Sequence, residues 1–341
     1  LLALTREEMQ AVRNHFNGQR IKKERRSRGL PAQVSDVELE MVAQTWSEHC
    51  KHKIFNATIH YHEKNKNETI RSLFKTYIKK TTDDIATYKR YLKSVFHDNS
   101  GVIEFDDRTL VCFKVETHNS PSALDPYGGA ITGIVGVNRD ILGTGKLAKP
   151  IFNTNVLCFA DPQTPAEQVP AGFMHPKQIM QGVHHGIIDG GNQSGIPVIA
   201  GGFLFDQSYI GKPLVFCGTG GILPYKIQGE GSWIKHIDPG DLAVMVGGRV
   251  GKDGIHGATF SSMALDEESP TSAVQIGDPI TQKNMWDFLL EARDKVLFKG
   301  ITDNGAGGLS SSLGEMATYS NGGRSHGRRR FYGQRVCRNI L

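Results

Sequence analysis

Three side chains that suit phosphate chemistry recur at every second position around residue 116. They are Lys114, Glu116 and His118, in the segment F-K-V-E-T-H-N. Side chains alternate along a strand, so the three share one face if the strand continues to His118. An ammonium group can neutralise phosphoryl oxygens, a carboxylate can bind Mg²⁺, and an imidazole titrates near neutral pH. The segment therefore indicates a phosphate-handling site, with a strand that has a polar outer face as the alternative.

Two further acidic residues offer oxygen ligands for the same ion. Asp140 follows a glycine-rich stretch, and Asp303 precedes the letters N-G-A-G-G. Carboxylates from separate segments can converge on Mg²⁺ and nucleotide phosphates, so we expect Glu116, Asp140 and Asp303 to gather around a divalent ion beside His118. Each aspartate alone is more often a turn or cap residue. The P-loop and dinucleotide fingerprints are both missing from the sequence, so neither of those folds is supported.

The strand that carries Lys114 and Glu116 is predicted over residues 109–116, where β-branched and aromatic residues dominate. Beyond it, six glycines lie between positions 128 and 145. Glycine costs an ordinary helix about 1 kcal/mol relative to alanine. This stretch is therefore predicted to bring its backbone close to a ligand or a neighbouring chain.

Local signals also organise the flanking segments. Ser35 and Glu38 have the spacing of a capping box, which predicts that a helix begins here. The basic run at 22–26 is interpreted as a solvated linker. Three prolines within residues 161–174 predict a domain boundary.

Composition and charge exclude several classes of protein. The 341 residues suffice for two domains or one large α/β unit. No run approaches the roughly 20 apolar residues of a membrane span, so we expect no membrane partner. Six arginines and no acid follow residue 323, which leaves the rest of the chain nearly neutral despite a net charge of +5. We therefore expect no nucleic-acid partner.

The cysteine pattern bears on compartment and on alternative chemistry. The five cysteines are scattered without a C-x-x-C pair, which favours a reducing, cytoplasmic location. His49, Cys50 and His52 could be zinc ligands. However, the sequence has no second Cys or His pair at zinc-finger spacing to complete the four ligands of a structural zinc site. A cysteine nucleophile with a histidine base for glutamine chemistry is a further alternative.

Seven ordered segments together resemble the phosphoribosylformylglycinamidine synthase family, over about residues 35 to 320. The segments are Trp46 to Cys50, Phe113 to Ala123, Asp125 to Ala130, Arg139 to Gly143, Gly254 to Phe260, Val274 to Pro279 and Thr302 to Leu309. The resemblance implies an α+β fold like that of aminoimidazole ribonucleotide synthetase (PurM-like). The expected parts are an N-terminal helical and linker segment (1–34), a PurM-like N-terminal domain that binds ATP and Mg²⁺ (35–165), a partial PurM-like C-terminal α/β domain (166–323) and a basic tail (324–341).

The resemblance also implies a ligase that uses ATP and Mg²⁺. Such an enzyme phosphorylates the formyl amide of formylglycinamide ribonucleotide, and ammonia from glutamine then displaces phosphate to give the amidine. Its implied partners are a glutaminase subunit or domain and a small accessory subunit. By motif, the active-site residues are His49 and His118, the ATP contacts are Lys114 and His52, and the metal ligands are Glu116 for one ion and Asp140 with Asp303 for another. The implied ribonucleotide contacts are Thr117, His118, Asn119, Ser120, Arg139 and Gln275.

Three features depart from the family pattern. Many relatives have histidine where this chain has Ser120, and tyrosine where it has His52. The chain ends in an arginine-rich run where the family continues into a second, related pair of domains. We therefore expect a truncated or frame-shifted product with little turnover alone, which lacks its second synthetase half or associates with itself.

Two other functions stay open. One is another ATP-dependent PurM-like enzyme, such as aminoimidazole ribonucleotide synthetase or a small-substrate kinase. The other is an inactive remnant or scaffold. The segment around His49 favours the amidine-forming enzyme over its relatives.

Overall fold

A computed structural model describes residues 4–238, 240–248, 258 and 274–319. These residues form two compact units. The first comprises the chain up to Asp84 with Ala258 and Ala306–Ser310, and the second contains the other described residues. The tail predicted at 324–341 and most of the segment 254–260 lie outside the described residues.

The first unit is a group of helices followed by a hairpin. Its elements are α1 (Arg6–Asn17), α2 (Gln19–Ser27), α3 (Asp36–Thr45), α4 (Glu48–Lys51), α5 (Lys53–Asn56), β1 (Thr58–Glu63) and β2 (Lys66–Arg71), after which come a π-helix (Phe74–Lys79) and α6 (Lys80–Ala86), whose last two residues belong to the second unit. The predicted capping box begins α3: the Ser35 backbone N–H donates to Glu38 Oε2 at 2.9 Å, and Ser35 Oγ accepts from the Glu38 N–H at 3.2 Å. This local prediction is confirmed.

The basic run at 22–26 is helical, so the linker interpretation was wrong. It lies in α2, and Arg25 is buried. Arg25 Nη1 lies 2.6 Å from Glu38 Oε1, and its Nε donates to the carbonyl of Pro31 at 2.7 Å. Because an arginine so enclosed needs acceptors, the capping-box glutamate and a backbone carbonyl together make this burial possible.

The second unit is built around a six-stranded sheet in the order β3-β4-β5-β8-β6-β7. The strands are β3 (Leu92–Ser94), β4 (Gly101–Glu104), β5 (Thr109–Thr117), β6 (Lys149–Phe159), β7 (Val198–Phe205) and β8 (Leu214–Pro224), with a separate short pair β9 (Lys226–Ile227) and β10 (Glu230–Gly231). Neighbouring strands run antiparallel except β6 and β7, which are parallel. Since β3–β5 and β7–β8 lie on opposite sides of residue 165 in the sequence, the sheet does not end at the predicted domain boundary.

Helices cover one face of this sheet. The remaining helices are α7 (Asn119–Leu124), α8 (Pro126–Leu142), α9 (Pro176–Ser194), α10 (Pro279–Asp294) and α11 (Leu309–Tyr319), with 3-10 turns at Ala166–Gln168 and Gln207–Tyr209. Ile134 and Val137 of α8 meet Val183 of α9 and Phe159 of β6 in the largest buried cluster. This mixture of helices with a mainly antiparallel sheet agrees with the predicted α+β class.

The glycine-rich stretch forms the buried helix α8, contrary to the prediction. A Cβ on Gly129 would lie 2.6 Å from the backbone of Pro121, and one on Gly133 would lie 3.2 Å from the Cβ of His118. The glycines therefore let α8 approach its own protein closely, and this packing outweighs their low helix propensity.

Among the described residues, none of the helices has the length and hydrophobicity that a bilayer-spanning helix needs.

Candidate functional site

Strand β5 presents different chemistry on its two faces. Lys114 and Glu116 lie on the face that α8 covers, whereas Phe113 and Val115 are exposed on the other face. The Nζ of Lys114 lies 3.0 Å from Asp140 Oδ2 and 3.7 Å from Glu116 Oε1. The alternation in the sequence thus correctly predicted that Lys114 and Glu116 share a face.

The neighbouring residue on α8 makes a second ion pair. Arg139 Nε lies 2.7 Å from Asp303 Oδ2, and the other oxygen of that carboxylate accepts a hydrogen bond from Asn99 Nδ2 at 2.9 Å. Asp303 comes from a segment more than 160 residues further along the chain than Arg139. Arg139 and Asp140 are adjacent at the end of α8, so the two ion pairs form one charged cluster: Lys114, Glu116, Arg139, Asp140 and Asp303.

The charge in this cluster is unbalanced, with three carboxylates beside two cations. Burial raises the pKa of Asp140 to about 8, and the negative charges of Glu116 and Asp303 add to that increase, while Lys114 opposes it. A carboxyl group in this environment resists ionisation because it is desolvated and surrounded by like charge. The cluster therefore favours an additional positive charge.

The three carboxylates supply the hard oxygen donors that Mg²⁺ prefers, so their chemistry fits the predicted ion. Within the part of the chain that the structure describes, however, no group of three or more His, Cys, Asp or Glu side chains is arranged to hold a metal. The ammonium group of Lys114 lies against Asp140 and close to Glu116, and Arg139 with Asn99 engages both oxygens of Asp303. The metal-ligand roles of Glu116, Asp140 and Asp303 stay predictions.

His118 lies directly after β5 and caps the start of α7. Its Nδ1 is 2.6 Å from the carbonyl oxygen of Gly129. Since a carbonyl only accepts, Nδ1 carries the proton, and the neutral ring then has no proton on Nε2. The absence of a side chain at Gly133 leaves room for this imidazole. The geometry thus fixes a tautomer in which Nε2 can accept a proton.

The predicted ribonucleotide contacts have varied environments. Thr117 and Gln275 are exposed, and Ser120 is fully buried in the first turn of α7. The side-chain oxygen of Asn119 accepts from the backbone N–H of Val215 at 2.8 Å, which ties α7 to β8. Thr132 donates to the carbonyl of Gln275 at 2.5 Å. Asn119 and Ser120 therefore contribute to packing here, whatever further role they have.

His49 and His52 belong to the first unit. His49 lies in the one-turn helix α4, whose start is capped by Ser47, and His52 joins α4 to α5 with a positive φ of 52°. Both residues therefore lie at a tight turn of backbone, and their predicted roles in catalysis and ATP binding stay predictions.

Sequence reasoning missed Asn99 and the residue before it. Asn99 contacts Asp303 through its side chain, and its backbone carbonyl accepts from Lys114 Nζ at 3.1 Å. Asp98 forms a buried ion pair with Lys235, with 2.6 Å between Oδ1 and Nζ. The only sequence signal was a short polar segment, D-N-S-G, just before β4.

Three family models match the sequence. The formylglycinamide ribonucleotide amidotransferase linker domain matches residues 1–53, and the N-terminal and C-terminal domains of AIR synthase related proteins match residues 97–223 and 238–324. The second and third matches contain every member of the charged cluster. They confirm the predicted PurM-like fold.

Curated and solved relatives agree with these matches. The phosphoribosylformylglycinamidine synthase subunit PurL of Thermoplasma acidophilum is 38% identical over 317 residues, which is 92% of this chain and 36% of that protein. Thermotoga maritima PurL complexed with FGAR has a TM-score of 0.60 and 29% identity, over 88% of this chain and 41% of that one. The same protein complexed with ATP has a TM-score of 0.55 and 26% identity, over 88% and 39%. The chain thus spans between 36% and 41% of these relatives.

Proposed function

This chain belongs to the PurL family of phosphoribosylformylglycinamidine synthases, and from that premise we propose that it carries part of the site that converts formylglycinamide ribonucleotide to its amidine. The reaction would use ATP and ammonia released from glutamine, as a step of purine biosynthesis and a ligase reaction that forms a C–N bond. The single observation that supports this most is the charged cluster, which joins Lys114, Arg139 and three carboxylates within segments that match the family domains.

Each proposed role follows from the chemistry of one side chain. Lys114 would neutralise the phosphoryl oxygens of ATP, since its ammonium group already lies among carboxylates that orient it. His118 would accept a proton at Nε2, because its Nδ1–H is committed to the carbonyl of Gly129. His49 would be the second active-site histidine, and His52 a further ATP contact.

The ribonucleotide would be held by residues at the end of β5 and around α8. Arg139 is the natural partner for an anionic group, because its planar guanidinium already engages a carboxylate. The other proposed contacts are Thr117, His118, Asn119, Ser120 and Gln275.

Mg²⁺ is proposed as the cofactor, with one ion held by Glu116 and another by Asp140 with Asp303. Bound there, the ions would offset negative charge on the phosphates of ATP. The pKa of Asp140 is raised first by burial and then by the negative charges of Glu116 and Asp303, and a bound cation would offset this second contribution.

The exposed face of the sheet supports a partner that completes the synthetase. Phe113, Val115 and Ile103 are exposed there, and edge strand β7 is exposed along its whole length, including Ile199 and Leu204. An exposed apolar edge strand is a template for pairing with another chain. The proposed occupant is a second synthetase half or a second copy of this chain. A glutaminase subunit or domain and a small accessory subunit are the other proposed partners.

Ligand binding to the purified 341-residue chain tests the proposal. We expect Mg-ATP and formylglycinamide ribonucleotide each to raise the thermal unfolding midpoint, because a ligand stabilises the state that binds it. Amidine formation with an ammonium salt is expected to be slow for the chain alone. Binding of ATP without the ribonucleotide would favour another ATP-using PurM-like enzyme, and binding of neither would favour a non-catalytic remnant.

A further inference from the structure

We propose that Asn99 is a positioning residue for Asp303, and that Gly143 is a glycine because it must make room for the Asn99 side chain. The part of this inference that concerns ligand binding rests on the proposed function, since it takes Asp303 as part of the nucleotide and metal site. The part that concerns geometry does not.

The first step is the enclosure of the Asp303 carboxylate. Oδ1 accepts from Asn99 Nδ2 at 2.9 Å, and Oδ2 accepts from Arg139 Nε at 2.7 Å. Only 11% of the Asp303 side chain is exposed. With both oxygens engaged from two directions, the carboxylate has one preferred orientation. Without the Asn99 amide, the Asp303 carboxylate would keep only the Arg139 contact of these two hydrogen bonds and could rotate.

The second step is that Asn99 is itself fixed. Its backbone carbonyl accepts from Lys114 Nζ at 3.1 Å. The preceding Asp98 bonds to the buried Lys235 at 2.6 Å and accepts from the backbone N–H of Gly145 at 2.8 Å. A residue anchored in this way can hold its side chain in a defined place. Asn99 therefore connects Lys114 and Asp303, a cation and a carboxylate of the charged cluster.

The third step concerns Gly143, the residue that ends α8. A Cβ at this position would lie 2.1 Å from Asn99 Nδ2. The backbone of Gly143 has φ −74° and ψ −4°, which any residue can adopt. The need for glycine is thus steric and comes first from the Asn99 amide and then from the backbone nitrogen of Asp303, which would lie 3.2 Å from the added Cβ. Substitution of Gly143 by alanine should displace that amide without removing any charge from the cluster.

A double-mutant cycle tests the geometry without any ligand. Asn99→Ala, Asp303→Ala and the double variant are unfolded in urea, with tryptophan fluorescence as the signal. A partly buried hydrogen bond to a charged group should make the two substitutions non-additive by about 10-fold in the unfolding equilibrium constant. Asp303→Asn provides a second cycle if Asp303→Ala does not fold. Additive effects in the cycle would overturn the proposal.

Binding of Mg-ATP, measured by calorimetry, tests the positioning role. Asn99→Ala and Gly143→Ala should each weaken binding by about 10-fold, as expected when a residue that orients a ligand-binding carboxylate is lost. Ser100→Ala is the matched control, because it removes the adjacent buried hydrogen bond to Thr144 Oγ1 (2.6 Å) and leaves Asp303 untouched. Its affinity should stay within about 2-fold of the parent, at the level of ordinary substitutions away from a site.

The outcomes separate the two claims. Equal losses in Asn99→Ala, Gly143→Ala and Ser100→Ala would mean a general structural role and would overturn the positioning role. If the unsubstituted chain does not bind Mg-ATP, the proposed function fails for this chain, and the urea cycle alone then decides whether Asn99 holds Asp303.

Discussion

Two clusters of charged side chains in this protein differ in their ratio of cations to carboxylates. In the first unit, one buried arginine meets one carboxylate: Arg25 donates to both oxygens of Glu38, at 2.6 and 2.9 Å. The hydrogen bond from Arg25 lowers the pKa of Glu38 to about 2. In the second unit, three carboxylates share two cations, and the pKa of Asp140 rises to about 8, first because this carboxyl group is buried and then because Glu116 and Asp303 are negatively charged. A balanced ion pair stabilises a fold. A cluster with more carboxylates than cations is typical of a binding site.

The largest expected effect removes a cation from the unbalanced cluster. Lys114→Ala leaves Asp140 and Glu116 without their shared ammonium group and takes away the proposed ATP contact. We expect Mg-ATP affinity to fall by about 100-fold, at the lower end of the range for loss of a partner in a hydrogen-bonded charge pair, because Lys114 is partly exposed. Titration calorimetry measures this, with Lys149→Ala as the control because Lys149 is an exposed lysine of the same sheet. An unchanged affinity in Lys114→Ala would contradict the proposal that the charged cluster binds ATP.

The next effect concerns the balanced pair. Arg25→Ala leaves Glu38 without its charged partner, and we expect the free energy of unfolding to fall by roughly 1.5–3 kcal/mol. Chemical denaturation measures the change. The matched control is Arg28→Ala, since Arg28 pairs with Glu24 at an exposed position and should matter by less than about 1 kcal/mol. Equal effects of the two substitutions would show that burial of Arg25 does not strengthen the contribution of its ion pair to the free energy of unfolding.

Neutralising a carboxylate of the unbalanced cluster should raise the stability of the chain, whereas Arg25→Ala should lower it. Asp140→Asn removes a carboxyl group whose ionised form is disfavoured first by burial and then by Glu116 and Asp303, so the ligand-free chain should gain about 1 kcal/mol of stability while it loses affinity for Mg-ATP. This combination is the usual exchange of stability for function at a binding site. Asp84→Asn, at an exposed i, i+4 pair with Lys80, should change stability by less than about 0.5 kcal/mol. A less stable Asp140→Asn variant would mean that the cluster is balanced after all.

The smallest effect is a dependence of stability on pH. Because the folded pKa of Glu38 is about 2, below its ordinary value of 4.5, the stabilisation is complete above pH 4.5. It is lost progressively as the pH falls from 4.5 towards 2, since the unfolded state then binds a proton that the folded state does not. Denaturation at pH 6, 4 and 3 should show a smaller decline for Glu38→Gln than for the parent chain. If stability fell equally with pH in Glu38→Gln and in the parent chain, groups other than Glu38 would account for the acid sensitivity.

Local patterns predicted much of what surrounds these clusters. The spacing of Ser35 and Glu38 predicted the start of α3, and alternation predicted that Lys114 and Glu116 share a face, because both depend on neighbours within a few residues. Ordered motifs also identified the family and brought Asp303 to attention. These features need no knowledge of the tertiary structure.

Features that depend on distant partners could not be predicted in this way. Helix α8 was not expected because the backbone and side chains that pack against its glycines come from other elements, among them α7, β5 and β8. The run around Arg25 was interpreted as a linker because the acceptors that permit its burial lie beyond it. Asn99 was missed since its partner is 204 positions away.

The two-faced strand β5 also limits how this family can change. Its charged and apolar side chains alternate from Phe113 to Glu116, and inserting or deleting a single residue within Thr109–Thr117 would exchange the two faces beyond that point. Lys114 would then point towards the open side of the sheet, and an aromatic or aliphatic residue would enter the helix-covered interior. Length variation among descendants should therefore accumulate in connecting loops, while this nine-residue strand keeps its count.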